Sequence, residues 1–226
     1  QVNSLVRLDE GYYIFRGLRY SPPYFEKRKK DLFAMIRQLG LPTWFVSLSA
    51  ADTKWGDLLK ILGNLIDKKE YSDEEIEQMD WTERTRLVQS DPVTCVRYFD
   101  HRVQQFINII LKSQHNPLGK VQDFFYRVEF QQRGSPHIHM LIWIENAPVY
   151  SVDSDEDVLK YVDKHVSCSC QEEQELQDLV KLQTHKHSKT CRKKGEAVCR
   201  FGFPLPPMPS TVILEPLEDN HDGKRF

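Results

Sequence analysis

Apolar residues recur at three- and four-residue spacings from Tyr24 to Leu39, where Phe25, Leu32, Phe33, Ile36 and Leu39 line one face of a predicted helix. Pro22 and Pro23 suit its first turn, and Gly40 is a natural stop. The period then changes: Thr43 to Ser49 (Thr-Trp-Phe-Val-Ser-Leu-Ser) predicts a strand. Helical spacing returns from Trp55 to Leu65, with Leu58, Leu59, Ile61, Leu62 and Ile66 on the apolar side. Residues 67 to 92 are polar and predict short helices and loops. Val93 to Leu111 is the best amphipathic helix, striped by Val96, Phe99, Val103, Phe106, Ile107 and Ile110 and opened by Asp91-Pro92. Val121 to Gln131 and Pro136 to Glu145 read as two strands around a turn at Arg133-Gly134, hence a β-hairpin.

The order helix, strand, helices, strand, strand predicts an α+β fold, a central antiparallel sheet with flanking helices packed on one side. Near residue 150 the composition shifts. Residues 151 to 182 are acidic and helical in pattern, and residues 183 to 210 lack periodicity but are rich in His, Cys, Lys and Pro. We therefore expect a core over 1–150 and an appendage over 151–226. No internal repeat is visible.

Net charge is −2, so bulk charge does not announce a nucleic-acid binder. Local patches such as Lys27-Arg28-Lys29-Lys30, or Lys186 to Arg200, can still contact phosphates, or be plain solvated surface. No apolar run approaches the roughly 20 residues that span a bilayer. The chain starts at Gln1 without an initiator Met or a signal-peptide pattern, and is expected to be a piece of something longer. Five cysteines, four of them after residue 167 and beside histidines, suggest metal binding in a reducing, intracellular compartment rather than a disulfide framework.

The chemistry concentrates at His137 and His139. On a strand, residues i and i+2 share a face, so the two imidazoles project together. A single strand histidine is usually a packing group; two beside a Gly/Pro turn suit one divalent ion. If the hairpin loop centres on Gly134, Glu129 and Gln131 fall on the same face. Glu129 is the first choice as third ligand and Gln131 the second. An N,N,O set with open positions is the pattern of a catalytic metal. It suits Mg²⁺ or Mn²⁺ where a substrate supplies phosphate oxygens, without excluding zinc. A reaction that uses a third alternating histidine as nucleophile is disfavoured, because that position is Leu141.

A second donor set, His185, His187, Cys191 and Cys199, spaced H-x-H-x₃-C-x₇-C, suits a four-coordinate structural Zn²⁺. Cys168 and Cys170 are alternative ligands, and an unmetallated basic loop is the bland alternative. Residues 183 to 210 have too little apolar content to fold unaided, which favours a metal staple. Lys193 and Lys194 would then track a DNA backbone. Arg133 is placed to contact phosphate or to stabilise its own turn. Trp44, Trp55, Trp81, Tyr12, Tyr13 and Tyr20 could stack on unpaired bases, but core packing accounts for most of them.

The segment Phe130-Gln131-Gln132-Arg133-Gly134-Ser135-Pro136-His137-Ile138-His139 resembles the His-hydrophobe-His signature of the Helitron family of rolling-circle transposons. The likeness continues through Ala34 to Gly40, Phe45 to Asp52, Asp91 to Cys95 and Cys199-Arg200-Phe201-Gly202-Phe203-Pro204, in the family's order and over most of the chain. The resemblance implies an N-terminal replication-initiator-like (HUH) endonuclease part, with an RRM-like core and a zinc-binding insertion, in a larger nuclear protein that also carries a helicase. It implies nicking of single-stranded DNA at transposon ends: the histidine-held metal polarises the scissile phosphate while a tyrosine attacks it. After His139 only Tyr150 and Tyr161 remain, and Val158 to Cys170 resembles the approach to the Cys/His region rather than a nucleophile motif. The catalytic tyrosine is thus expected beyond Phe226. The alternative is a non-catalytic single-stranded DNA-binding or docking module.

Overall fold

The computed structural model of the chain describes residues 14–19, 21–130, 134–166, 173–187, 191–192, 198–206 and 208–214. It divides into two compact units, Gln1–Ala147 and Pro148–Phe226.

The first unit opens with helix α1, Pro22–Leu39, capped by the Ser21 side chain, which accepts from the Tyr24 N–H. Its end is set by Gly40, whose φ of 79° lies in the left-handed region that glycine enters without cost. Strand β1, Trp44–Ser49, follows, then a short 3₁₀ turn at Asp52–Lys54. Helix α2 (Gly56–Asp67) comes next, the polar stretch resolves into α3 (Asp73–Gln78) and α4 (Trp81–Ser90), and α5 (Pro92–Phe106) widens into a π-helical turn over Ile107–Leu111. Ser72 and Glu75 form a reciprocal capping box on α3. Arg84 donates to the carbonyls of Thr53, Ile76, Glu77 and Met79, which ties the turn after β1 to the end of α3.

Strands β2, Val121–Phe130, and β3, Pro136–Ile144, complete a three-stranded antiparallel sheet in the order β1-β3-β2. Helix and sheet together give the expected α+β architecture. Ile138, Met140, Ile142 and Ile144 point from β3 to one face and pack on Phe99, Val103, Ile107 and Leu111 of α5 and its π turn. The buried row of that helix therefore runs 95, 99, 103, 107, 111; Val96, Phe106 and Ile110, drawn into the stripe from sequence spacing, are only half-buried. A second cluster, Leu58, Leu59, Leu62, Ile76, Leu87 and Cys95, joins α2 to α3, α4 and α5.

One expectation needs correction. Helices do not cover a single side of the sheet. Trp143, on the face opposite Ile142, is buried and donates from Nε1 to the Gly40 carbonyl at 3.0 Å. Arg127, on that same face, lies 4.2 Å over the Phe25 ring of α1. Helix α1 thus covers part of the outer face, because a buried indole at the far end of β3 needs both an apolar cover and an acceptor. Towards the β2–β3 turn the described residues of β3 on that face, His137, His139 and Leu141, are only half-buried.

The second unit contains α6 (Asp155–His165) and α7 (Gln174–Gln183), followed by described segments without regular structure. Ser154 caps α6, whose first turn is acidic and whose last turn carries Lys164 and His165, both favourable to the helix dipole. Among the described residues no helix is long and apolar enough to cross a membrane.

Candidate metal centres

Antiparallel pairing sets Glu129 of β2 directly opposite His137, and Arg127 opposite His139. On the other side of β3, Ser49 pairs with His137 and Ser47 with His139. Alternation then puts all six side chains on the outer face. The central strand carries the histidines, so their backbones are held from both sides.

The side chains converge. His137 Nε2 and His139 Nε2 lie 3.0 Å apart, and each is 3.5 Å from the same Glu129 oxygen, Oε2. Phe45 of β1 stacks on His139, ring centroids 5.4 Å apart. Arg127 Nε approaches the other Glu129 oxygen, Oε1, at 3.7 Å and so limits how the carboxylate turns. The His137 side chain is 14% exposed and those of His139 and Glu129 a little over a third, so the cluster sits at the surface but is walled on one side. Both imidazole Nδ1 atoms are buried with no hydrogen-bond partner among the described residues.

This donor set fits a divalent ion. Donors 3.0 Å apart that share one ion at about 2.1 Å subtend close to a right angle, as neighbouring positions in octahedral coordination do. Three protein donors leave further positions open towards solvent, unlike a closed structural site.

The second unit carries its own cluster. Sγ of Cys199 lies 3.4 Å from His185 Nε2, Sγ of Cys191 lies 3.6 Å from His187 Nδ1, and all four donors fall within 4.8 Å of one another. Tetrahedral zinc, with bonds of about 2.3 Å to sulfur and 2.0 Å to nitrogen, spaces neighbouring donors roughly 3.5 Å apart. Both cysteines are reduced and buried, at 2% and 5% exposure. Local turns present them: the Arg200 N–H donates to the Cys191 carbonyl and the Gly202 N–H to that of Cys199, each at 2.9 Å. Phe203 stacks on His185 with centroids 4.6 Å apart.

Electrostatics favour the ligand forms. Burial raises the Cys199 thiol, but the N–H groups of Phe201 and Phe203, the Cys191 side chain and Arg192 outweigh it and hold it below the ordinary range. Desolvation first, then Arg192 and His185, lower His187 towards the neutral imidazole that a metal requires.

The structure therefore brings together every sequence-derived ligand that it describes: Glu129, His137 and His139 in one cluster, His185, His187, Cys191 and Cys199 in the other. Gln131, Arg133, Cys168, Cys170, Lys193 and Lys194 lie outside the described residues, as do Tyr12, Tyr13 and Tyr20. Of the tryptophans, Trp44 and Trp55 pack against the sheet core, whereas Trp81 is 73% exposed. Tyr161 lies in the second unit with its ring against His165, centroids 4.4 Å apart. Sequence reasoning missed Arg127. Its signal was available, since it stands two residues before Glu129 on the same strand face.

Comparison with known proteins places this geometry in a family. The family described as the Helitron helicase-like domain at the N-terminus matches residues 3–142. The chain belongs to that Helitron family. The match takes in Glu129, His137 and His139, and stops before the Cys/His cluster. It makes this an N-terminal domain of a Helitron-type transposase, with a DNA-related, helicase-associated role. No curated protein and no solved structure matches the chain.

Proposed function

We propose that the first unit is an HUH-type endonuclease that nicks and transfers single-stranded DNA at the ends of a Helitron transposon. The observation that carries this reading is the convergence of His137 Nε2, His139 Nε2 and Glu129 Oε2 within 3.5 Å at a surface position beside a turn. Such a set holds Mg²⁺ or Mn²⁺, which when bound supplies Lewis acidity to a phosphate oxygen. Glu129 is the third ligand in this reading; Gln131 is the alternative. Arg127 keeps the Glu129 carboxylate turned towards the histidines. The His137 and His139 rings, on one central strand, keep their spacing without help from a ligand.

In the reaction a tyrosine hydroxyl attacks the scissile phosphorus. The P–O3′ bond breaks, the phenolic proton is released, and the 3′ oxygen leaves as a hydroxyl after taking up a proton. The 5′-phosphotyrosine bond conserves the phosphodiester energy, so reversal joins strands without a nucleotide cofactor. On the family resemblance the nucleophile belongs to the chain beyond residue 226, with a helicase domain in the same nuclear polypeptide. Residues 1–150 make the nuclease core and 151–226 a zinc-stapled insertion, in which Zn²⁺ is held by His185, His187, Cys191 and Cys199. Arg133, Lys193 and Lys194 are the proposed contacts to the DNA backbone.

The test is Mn²⁺-dependent nicking of an end-labelled single strand by the chain extended to include the downstream tyrosine. His137→Ala with His139→Ala should abolish nicking and the covalent DNA adduct. Equal nicking by that variant overturns the nuclease reading, and retained strand binding without any metal-dependent nicking by the parent favours a docking module instead.

A further inference from the structure

A cavity of about 630 Å³ opens between α1 and the β2 edge of the sheet. Among the described residues its walls carry three guanidinium groups, Arg19, Arg28 and Arg127, against one carboxylate, Asp100. Such a volume lies within the range of sites that hold a nucleotide-sized ligand. None of these arginines belongs to the metal-ligand sets, and the basic run at 27–30 had an equally good account as solvated surface.

Two of the three guanidiniums lie over aromatic rings that wall the same cavity. Arg28 lies 5.4 Å from the Tyr24 ring centroid, and Arg127 4.2 Å from that of Phe25. A guanidinium laid over a ring is oriented by it, and turns its N–H edge sideways where it can meet a phosphate in a two-point contact. The Arg28–Asp31 pair at 3.5 Å is on exposed side chains and competes weakly for that edge. The rings already carry guanidiniums, so the cavity is built for backbone phosphates rather than for stacking bases.

Arg127 connects this cavity to the Glu129–His137–His139 cluster, because it lines the one and lies 3.7 Å from the outer oxygen of Glu129 in the other. A polynucleotide whose scissile phosphate lies at the histidines therefore has a cationic path along β2 for the phosphates next to it. Asp100 of α5 closes the cleft on a further side, and a volume of about 630 Å³ is on the scale of a nucleotide-sized piece of a single strand rather than of a duplex.

We propose that the α1–β2 cleft, through Arg19, Arg28 and Arg127, grips the single-stranded DNA backbone adjoining the phosphate at the metal centre. This rests on the nuclease reading above, but its test is independent of catalysis. The full 226-residue chain is titrated, in a chelator, with a fluorescein-labelled twelve-nucleotide dT strand, and anisotropy is followed from low to moderate salt. Arg19→Ala with Arg28→Ala should weaken binding about 10-fold and reduce the slope of log K against log salt by about 1.4, at roughly 0.7 per phosphate contact on a single strand.

Affinity within twofold of the parent and an unchanged slope for the double arginine variant would overturn the cleft while leaving the nuclease reading intact. A parent chain that does not bind the strand at all sinks both. Hydrogen exchange of the parent with and without the strand avoids any folding defect in the variants: added protection should fall on the peptides containing Arg28 and Arg127, and protection confined to other peptides overturns the proposal. Nicking by the histidine variant, measured separately, fails or succeeds without bearing on the cleft.

Discussion

Glu129, His137 and His139 project from strands whose ladder hydrogen bonds fix their spacing, whereas His185, His187, Cys191 and Cys199 project from described segments without regular structure, held by backbone hydrogen bonds such as Arg200 to Cys191 and Gly202 to Cys199. The first cluster has three donors, a wall on one side and solvent on the other. The second has four, and its two sulfurs are buried. A sheet can preorganise ligands and leave coordination positions open for a substrate. Segments without regular structure supply less order to their donors, and a closed set of four suits an ion that contributes that order. In the proposed reading the same residue type, histidine, serves two purposes according to what holds its backbone.

The largest effect expected from this contrast is on metal removal. Structural zinc contributes on the order of 10 kcal/mol to small metal-folded units. Chelation should therefore strip hydrogen-exchange protection from the Arg200 and Gly202 amides while those of β3 stay protected. Equal loss in β3 would break the comparison.

Next, His137→Ala with His139→Ala should abolish Mn²⁺ binding, read by electron paramagnetic resonance, and leave zinc content and melting temperature unchanged. Groups that only orient a ligand are worth about 10- to 100-fold in metal affinity, so two ligands should cost more than about 100-fold. A drop in zinc content would show that the two clusters share ligands.

Arg127→Ala should be milder, weakening Mn²⁺ about 10-fold through a freer Glu129 carboxylate, with Arg127→Lys recovering part of it. No change would remove Arg127 from the centre.

The smallest effect is on thiol reactivity. Cys95 is 4% exposed and its thiol is pushed up to about 11, by burial first and then by Asp52 and Asp91. At pH 8 only about a thousandth of it is thiolate, and the fraction grows tenfold per pH unit until the thiol titrates. Iodoacetamide at pH 8 should leave the Cys95 peptide unmodified, with or without chelator. The Cys191 and Cys199 peptides should react once the ion is withdrawn. Early modification of Cys95 would show that the α2–α5 cluster opens easily.

Much of this was readable along the chain. The alternation through Pro136 to Ile144 and the turn at Gly134 were enough to set Glu129 beside the two histidines, because pairing in a hairpin is local and its period is two. Gly134 does take a positive φ, 86°. The spacing of His185, His187, Cys191 and Cys199 likewise announced a donor set. Less readable was which row of α5 turns inward. Sequence spacing admitted Val96, Phe106 and Ile110, but the sheet beneath selected 99, 103, 107 and 111, and the neighbouring helices selected 95. The side of the sheet that α1 covers was not readable either, since it depends on Trp143 and Gly40, 103 residues apart.

By itself, the sequence determined most of the elements, which hairpin residues share a face and two candidate donor sets, all of which follow from short-range periodicity and side-chain chemistry; it centred the hairpin on Gly134, whereas the pairing of Glu129 with His137 centres it one residue earlier. Only the tertiary structure decided that β1 would flank the histidines from the far side, that Phe45 would stack on His139, and that Arg127 would lie between the Glu129–His137–His139 cluster and the ring of Phe25 on α1. Those arrangements depend on contacts between residues 88 to 102 positions apart. Burial of whole faces chooses among them, and no local pattern encodes that choice.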